Sequence, residues 1–133
     1  MQFAPAMLAK TPIVLETEGL GRKEFHGRVT ILVNRHTASA AEMIVAFAQE
    51  NNLARIIGEK TAGKLLSATS VKVGHNFRLA LPTGAYDTWR GSVLEGTPIE
   101  PDELVAFDWQ AARANKDSQL EYAAKFTGNR QSV

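Results

Sequence analysis

Asn34-Arg35-His36-Thr37-Ala38-Ser39-Ala40-Ala41-Glu42 joins two apolar segments of different period, and its reading decides the fold. Ahead of it, Val29-Thr30-Ile31-Leu32-Val33 is a short β-branched run, the pattern of a buried strand. Behind it, Met43, Ile44, Phe47 and Ala48 recur at helical spacing up to Gln49-Glu50-Asn51-Asn52, which predicts a helix over 38–50. Ser39 then stands where the helix begins, among unpaired backbone N–H groups and at the positive end of the helix dipole. A serine placed there can attack a carbonyl carbon, and the N–H beside it can hold the oxyanion that results. The same residues also satisfy a plain structural pattern. Ser39-Ala40-Ala41-Glu42 is an S-x-x-E capping box, in which Glu42 reaches back to the Ser39 N–H. Locally, both readings stand.

Working outward, Ala54-Arg55-Ile56-Ile57-Gly58 is a second buried strand ended by glycine. Strand, helix and strand in this order predict a right-handed crossover in a largely parallel sheet. Thr69–Val73 and Phe77–Leu81 instead alternate polar and apolar residues about a Gly74-His75-Asn76 turn, the signature of a hairpin. Pro82-Thr83-Gly84 reads as another turn and Ala85–Trp89 as a third antiparallel strand. Pro101-Asp102-Glu103 reads as the start of a short helical turn, since proline and acids suit such a position. Residues 109–115 and 117–126 read as helices, and 128–133 as a frayed tail. Upstream, residues 1–10 suggest the end of a helix, Pro12–Thr17 a strand, and Gly19–Lys23 a loop.

A chain of 133 residues supports one domain with a real core. Fifteen Lys and Arg against fourteen Asp and Glu leave a net charge of +1, which gives no electrostatic case for nucleic acid. Cysteine is absent, which excludes disulfides, thiol catalysis and thiolate metal sites. No apolar run reaches membrane-spanning length, and Met1–Pro5 lacks the pattern of a signal peptide.

The other candidate for chemistry is Lys64, in the loop Thr61-Ala62-Gly63-Lys64 just after the second buried strand. In a parallel sheet the loops after both strands leave the same edge, where ligand sites collect. A lysine acts as a base near neutral pH when burial disfavours its charged form, and a Ser–Lys pair needs neither histidine nor acid. The alternative is a solvated loop lysine. His36 precedes Ser39 by three residues but nothing orients it as a triad requires. His26 and His75 lack paired metal-ligand spacing. Ser67 and Ser70 read as ordinary strand or loop serines, and Trp89 and Trp109 as core or interface residues.

TASAAE (37–42), GEKTAGK (58–64) and LEGTPIEPDE (94–103), in that order, resemble the C-terminal processing, or tail-specific, serine peptidases. In that family a T/S-A-S-A-S/A-E segment carries the nucleophile as its middle serine, and a G-E-x-T-x-G-K segment carries the general-base lysine. A late G-x-x-P-D element follows an antiparallel segment. The interval of 25 residues from Ser39 to Lys64 is the one that family keeps. The resemblance, over about residues 12 to 126, implies Ser39 as nucleophile, Lys64 as base and the Ala40 N–H as one oxyanion donor. It implies an acyl-enzyme hydrolysed by water, with no metal or cofactor, and a protein or peptide substrate. The implied fold is α/β, a crotonase- or ClpP-like spiral sheet with packed helices and a short antiparallel segment. The implied location is periplasmic or otherwise extracytoplasmic. Glu59 and Asp102 match family positions and read as structural.

Three family features find no match. The D-L-R-x-N-x-G-G segment, whose glycine gives the second oxyanion donor, has no counterpart, nor has the substrate-capturing PDZ domain. The glutamine that often follows the lysine by four residues is Ala68. Residues 1–133 are therefore expected to be a partial, C-terminal portion of a catalytic domain, weakly active or inactive alone. Such a sheet leaves strand edges uncovered, so a homo-oligomer or strand-exchanged dimer is expected, with Met1–Thr17 as the exchanging element. The alternative is a non-enzymatic ligand-binding or interaction module, as in the retinoid-binding repeats of the photoreceptor matrix, which share this fold.

Overall fold

The computed structural model describes residues 21–23 and 25–128, with Val14, Glu16 and Glu18. The helix expected over 1–10, the strand over Pro12–Thr17, the exchange element Met1–Thr17 and all but Gly128 of the C-terminal tail lie wholly or mainly outside these residues. A single 3₁₀ turn, Gly21–Lys23, opens the described part.

The β-branched run forms β1 (Thr30–Val33), and the second apolar run forms β2 (Arg55–Gly58). The two pair in parallel with Ile31 beside Ile56 and Val33 beside Gly58. Between them runs α1 (Ala40–Glu50). The predicted strand–helix–strand unit is thus present, its boundaries shifted by one or two residues. Alternation along the strands divides their side chains between two faces. Val33 and Ile56 join Val45, Ala46 and Ala48 of α1 in the main core, completed by Leu65, Leu94 and Ile99. Ile57, fully buried, points to the other face, where α3 (Ser118–Gly128) packs on β1 and β2. Burying each isoleucine contributes about 1.5–3 kcal/mol.

The helical periodicity predicts the wrong face of α1 in part. Glu42, Val45, Ala46 and Ala48 are buried, whereas Ile44 and Phe47 stay exposed. Burial follows Glu42, whose carboxylate is fixed from the sheet side, and the apolar count alone does not register that.

Four further expectations are corrected. Pro82-Thr83-Gly84 is not a turn, because β4 (Phe77–Ala85) runs through it and pairs with β3 (Leu66–Gly74) over nine-residue strands. A register shift between Ser67 and Ala68 absorbs the irregularity there. Ala85–Trp89 forms no third strand, only an isolated bridge from Asp87 to Val93. Pro101–Glu103 begins no helix. Glu103–Leu104 is a short strand, β5, parallel to β2, so the parallel sheet has the order β1-β2-β5. Of the core or interface role expected for Trp89 and Trp109, the core half is corrected, since the two are exposed, 91% and 71%.

The hairpin turn lies where the sequence places it. His75 and Asn76 both have positive φ, 46° and 61°, as a two-residue type I′ connection requires. The predicted C-terminal helices are α2 (Trp109–Arg113), capped by the Asp108 carboxylate, and α3.

Candidate functional site

In a parallel sheet β1, β2 and β5 end at one edge, and the segments after β1 and β2 carry Ser39 and Lys64 there. The first segment is a tight turn. The Thr37 N–H donates to the Asn34 carbonyl oxygen at 2.8 Å, the Thr37 hydroxyl accepts from the Asn34 N–H at 3.0 Å, and the Asn34 side chain accepts from the His36 N–H at 2.9 Å. His36 is exposed and its Nε2 accepts from Arg35.

Ser39 caps α1 with φ 57° and ψ −132°. An ordinary N-cap residue lies in the β region, whereas positive φ in a non-glycine residue is strained by about 1–3 kcal/mol. A strained strand-to-helix turn is also how a nucleophilic serine is lifted above a sheet edge. Ser39 is exposed. The next residue, Ala40, opens the helix, so its N–H lies outside the helix's own hydrogen-bond ladder.

The two segments are laced together by main chain. The Ser39 N–H donates to the Lys64 carbonyl oxygen at 2.9 Å, and the Ala62 N–H to the Thr37 carbonyl oxygen at 2.9 Å. Glu42 provides the second tie. Its side chain is fully buried and its carboxylate accepts from the Thr61 hydroxyl at 2.6 Å, the Gly63 N–H at 2.7 Å, the Lys64 N–H at 2.9 Å and the Ser39 N–H at 3.2 Å. Burial pushes the Glu42 carboxyl upward, but the Thr61 hydroxyl and the Lys64, Gly63 and Ser39 N–H groups outweigh it and hold the group below its ordinary value. The sequence gives Glu42 as a helix cap. The cap is present, and the same carboxylate also fixes the lysine loop.

The third motif backs the second. The Ile99 N–H donates to the Thr61 hydroxyl at 2.8 Å, the Thr61 N–H to the Ile99 carbonyl at 3.1 Å, and the Gly96 N–H to the Gly63 carbonyl at 2.9 Å. Glu95 accepts from the Leu65 N–H at 2.6 Å. Gly63, at φ 64°, lies so close to Pro98 that a Cβ would sit 2.7 Å from its nitrogen. Asp102 accepts from the Ile56 N–H at 2.8 Å and from Gln49 at 3.0 Å, tying β2 to α1. Glu59 accepts from the Phe107 N–H at 3.4 Å.

The Lys64 side chain is exposed. The burial expected of a lysine base is not supplied by the described residues. Ala68 lies in β3, exposed, opposite Pro82. Among the described residues no cluster of three or more His, Asp or Glu is placed to hold a metal ion, and no helix is long and apolar enough to cross a membrane.

A parallel α/β sheet thus carries a strained serine at one strand–helix junction, laced to the neighbouring lysine loop. The chain belongs to peptidase family S41, whose model matches residues 5–105. It is 35% identical over 77 residues to a carboxy-terminal-processing protease of Bartonella bacilliformis, covering 58% of this chain and 18% of that protein. Among solved structures, it resembles the photosystem II D1 C-terminal processing protease with a TM-score of 0.54 at 30% identity, over 59% of this chain and 20% of the other. The tricorn protease shares the fold with a TM-score of 0.68 at 20% identity, over 75% of this chain and 10% of the other. The matched segments thus span no more than a fifth of the length of each of these proteins.

Proposed function

We propose that residues 1–133 are a partial catalytic domain of a C-terminal processing serine endopeptidase, with Ser39 as nucleophile, Lys64 as general base and the Ala40 N–H as an oxyanion donor. The observation that carries the proposal is the Ser39 backbone. A residue serving only as a cap has no need of φ 57°, and strain of this kind persists where its surroundings enforce it. Here Lys64 and Glu42 both hold the Ser39 N–H.

In the proposed reaction the Lys64 amine takes the Ser39 hydroxyl proton as the oxygen attacks a peptide carbonyl. The proton passes to the leaving amine, and water then releases the acyl group. A site with one oxyanion donor in place of two forgoes about 2.7–4 kcal/mol of transition-state stabilisation, and the exposed Lys64 adds to the deficit. The chain alone is therefore a weak or inactive peptidase. Among the described residues β1 pairs on one side only, and an edge left open in this way favours self-association or strand exchange.

An activated peptide ester tests the reading, because its leaving group needs little help. The expected result is a stable acyl adduct on Ser39, seen by intact mass and peptide mapping, absent in Ser39→Ala and slowed at least tenfold in Lys64→Ala. Acylation elsewhere, or equal acylation in Ser39→Ala, would leave the non-enzymatic module as the better reading.

A further inference from the structure

The β3–β4 ribbon carries two features that the proposed hydrolysis does not use. The first is charge. From Lys60 to Tyr86 the sequence holds four Lys and Arg residues, Lys60, Lys64, Lys72 and Arg78, and no acidic residue. Lys60 pairs with Glu100, whereas Lys64, Lys72 and Arg78 form no ion pair among the described residues. Lys72 and Arg78 are direct cross-strand partners. They therefore share one face of the ribbon, and two like charges so placed repel. The opposite face holds Val71 beside Leu79 and Thr69 beside Leu81, with all three apolar side chains exposed.

The second feature is an open edge. Among the described residues the ribbon is a two-stranded sheet, so each strand has one unpaired side there, and the strands pack chiefly on each other. Pro82, which has no N–H, interrupts β4, whereas β3 has no proline and its only glycine is its last residue. β3 starts at Leu66, two residues beyond Lys64. A strand laid along β3 would therefore run to the edge that carries Ser39.

We propose that the outer edge of β3 takes up the peptide as an added β-strand, and that it selects acidic residues at alternate positions, facing Lys72 and Arg78, with apolar residues between them on the Val71, Leu79 and Leu81 face. The assignment of a peptide as occupant rests on the hydrolase reading. Main-chain pairing supplies affinity in such a complex, and the alternating side chains supply selectivity.

The test is a fluorescence anisotropy titration of the 133-residue chain with a labelled eight-residue peptide of alternating glutamate and valine. Its controls are a lysine–valine peptide of equal length and the glutamate–valine peptide N-methylated at alternate backbone nitrogens. The expected result is at least tenfold tighter binding of the unmodified acidic peptide than of either control, weakening as salt rises. A Lys72→Glu, Arg78→Glu double variant, altered only at exposed positions, should reverse the charge preference. Equal binding of the three peptides, or an unchanged preference in the double variant, would overturn the proposal. Protection of β3 amides from exchange by a second copy, which the acidic peptide fails to displace, would also overturn it. Acylation of Ser39 is measured in parallel. Charge-selective binding without acylation upholds the β3 edge and removes the hydrolase, and acylation without charge-selective binding does the reverse.

Discussion

The Ser39 N–H donates to the Lys64 carbonyl oxygen at 2.9 Å. Two residues 25 positions apart are thus joined by main chain, independently of what their side chains do. The bond fixes the loop after β1 to the loop after β2 at one edge of the sheet, and the Ala62 to Thr37 bond repeats the connection one step away. Any chemistry shared by Ser39 and Lys64 depends on this lacing.

Ser39→Gly separates a strained serine from a simple cap. Glycine relieves about 1–3 kcal/mol of backbone strain, against about 0.5–1 kcal/mol of extra freedom lost on folding. The variant is expected to be more stable than wild type by about 1 kcal/mol in urea denaturation, while losing acylation. An ordinary cap would give a loss of a few tenths of a kcal/mol.

Glu42→Ala removes the acceptor of the Thr61 hydroxyl and of the Gly63, Lys64 and Ser39 N–H groups. Each donor left unpaired in a buried setting costs about 1–3 kcal/mol. The variant is expected to lose at least about 3 kcal/mol of stability in urea denaturation and to lose reactivity at Ser39 even where it stays folded.

The same carboxylate predicts a pH dependence. Its folded-state value is lowered, while an unfolded glutamate titrates near about 4.3. The folded state then binds fewer protons, so the Glu42 contribution is complete above the unfolded value and is lost as pH falls through the folded one. The stability difference between wild type and Glu42→Gln, followed by urea midpoints, should be constant from about pH 6 to 8 and shrink below about pH 4.3. A difference that grew on acidification would contradict this role.

Gly58→Ala probes the end of β2. A Cβ there would lie 2.0 Å from the Val33 carbonyl oxygen, at φ 130°. Backbone strain of about 1–3 kcal/mol adds to an overpacking penalty of about 1–3 kcal/mol. The expected outcome is loss of cooperative unfolding or a drop of at least about 2 kcal/mol, with increased exchange at the β1 and β2 amides.

The β1–α1–β2 unit was legible because its strand runs are continuous and its helix is periodic. The hairpin was legible in its turn, where Gly74-His75-Asn76 breaks the alternation and His75 and Asn76 take positive φ. Its length was not, because Pro82 and Gly84 look like a stop although a register shift lets β4 continue. Glu103–Leu104 escaped because a two-residue strand has no period, and Pro101-Asp102 imitates a helix start. At the site, the motifs gave the residues but not the mechanics. Asp102, placed by sequence at a turn, holds the Ile56 N–H and Gln49 instead. The strain at Ser39 and the four donors on Glu42 arise from contacts between distant segments, which local sequence does not encode.

The most direct test of a Ser39–Lys64 pair is labelling with a fluorophosphonate probe, followed by peptide mapping, on wild type, Ser39→Ala and Lys64→Ala. Labelling at Ser39 in wild type, absent in Ser39→Ala and lost or strongly slowed in Lys64→Ala, is the predicted result. A folded wild-type chain that does not label at Ser39, or a Lys64→Ala variant that labels as fast as wild type, would contradict it.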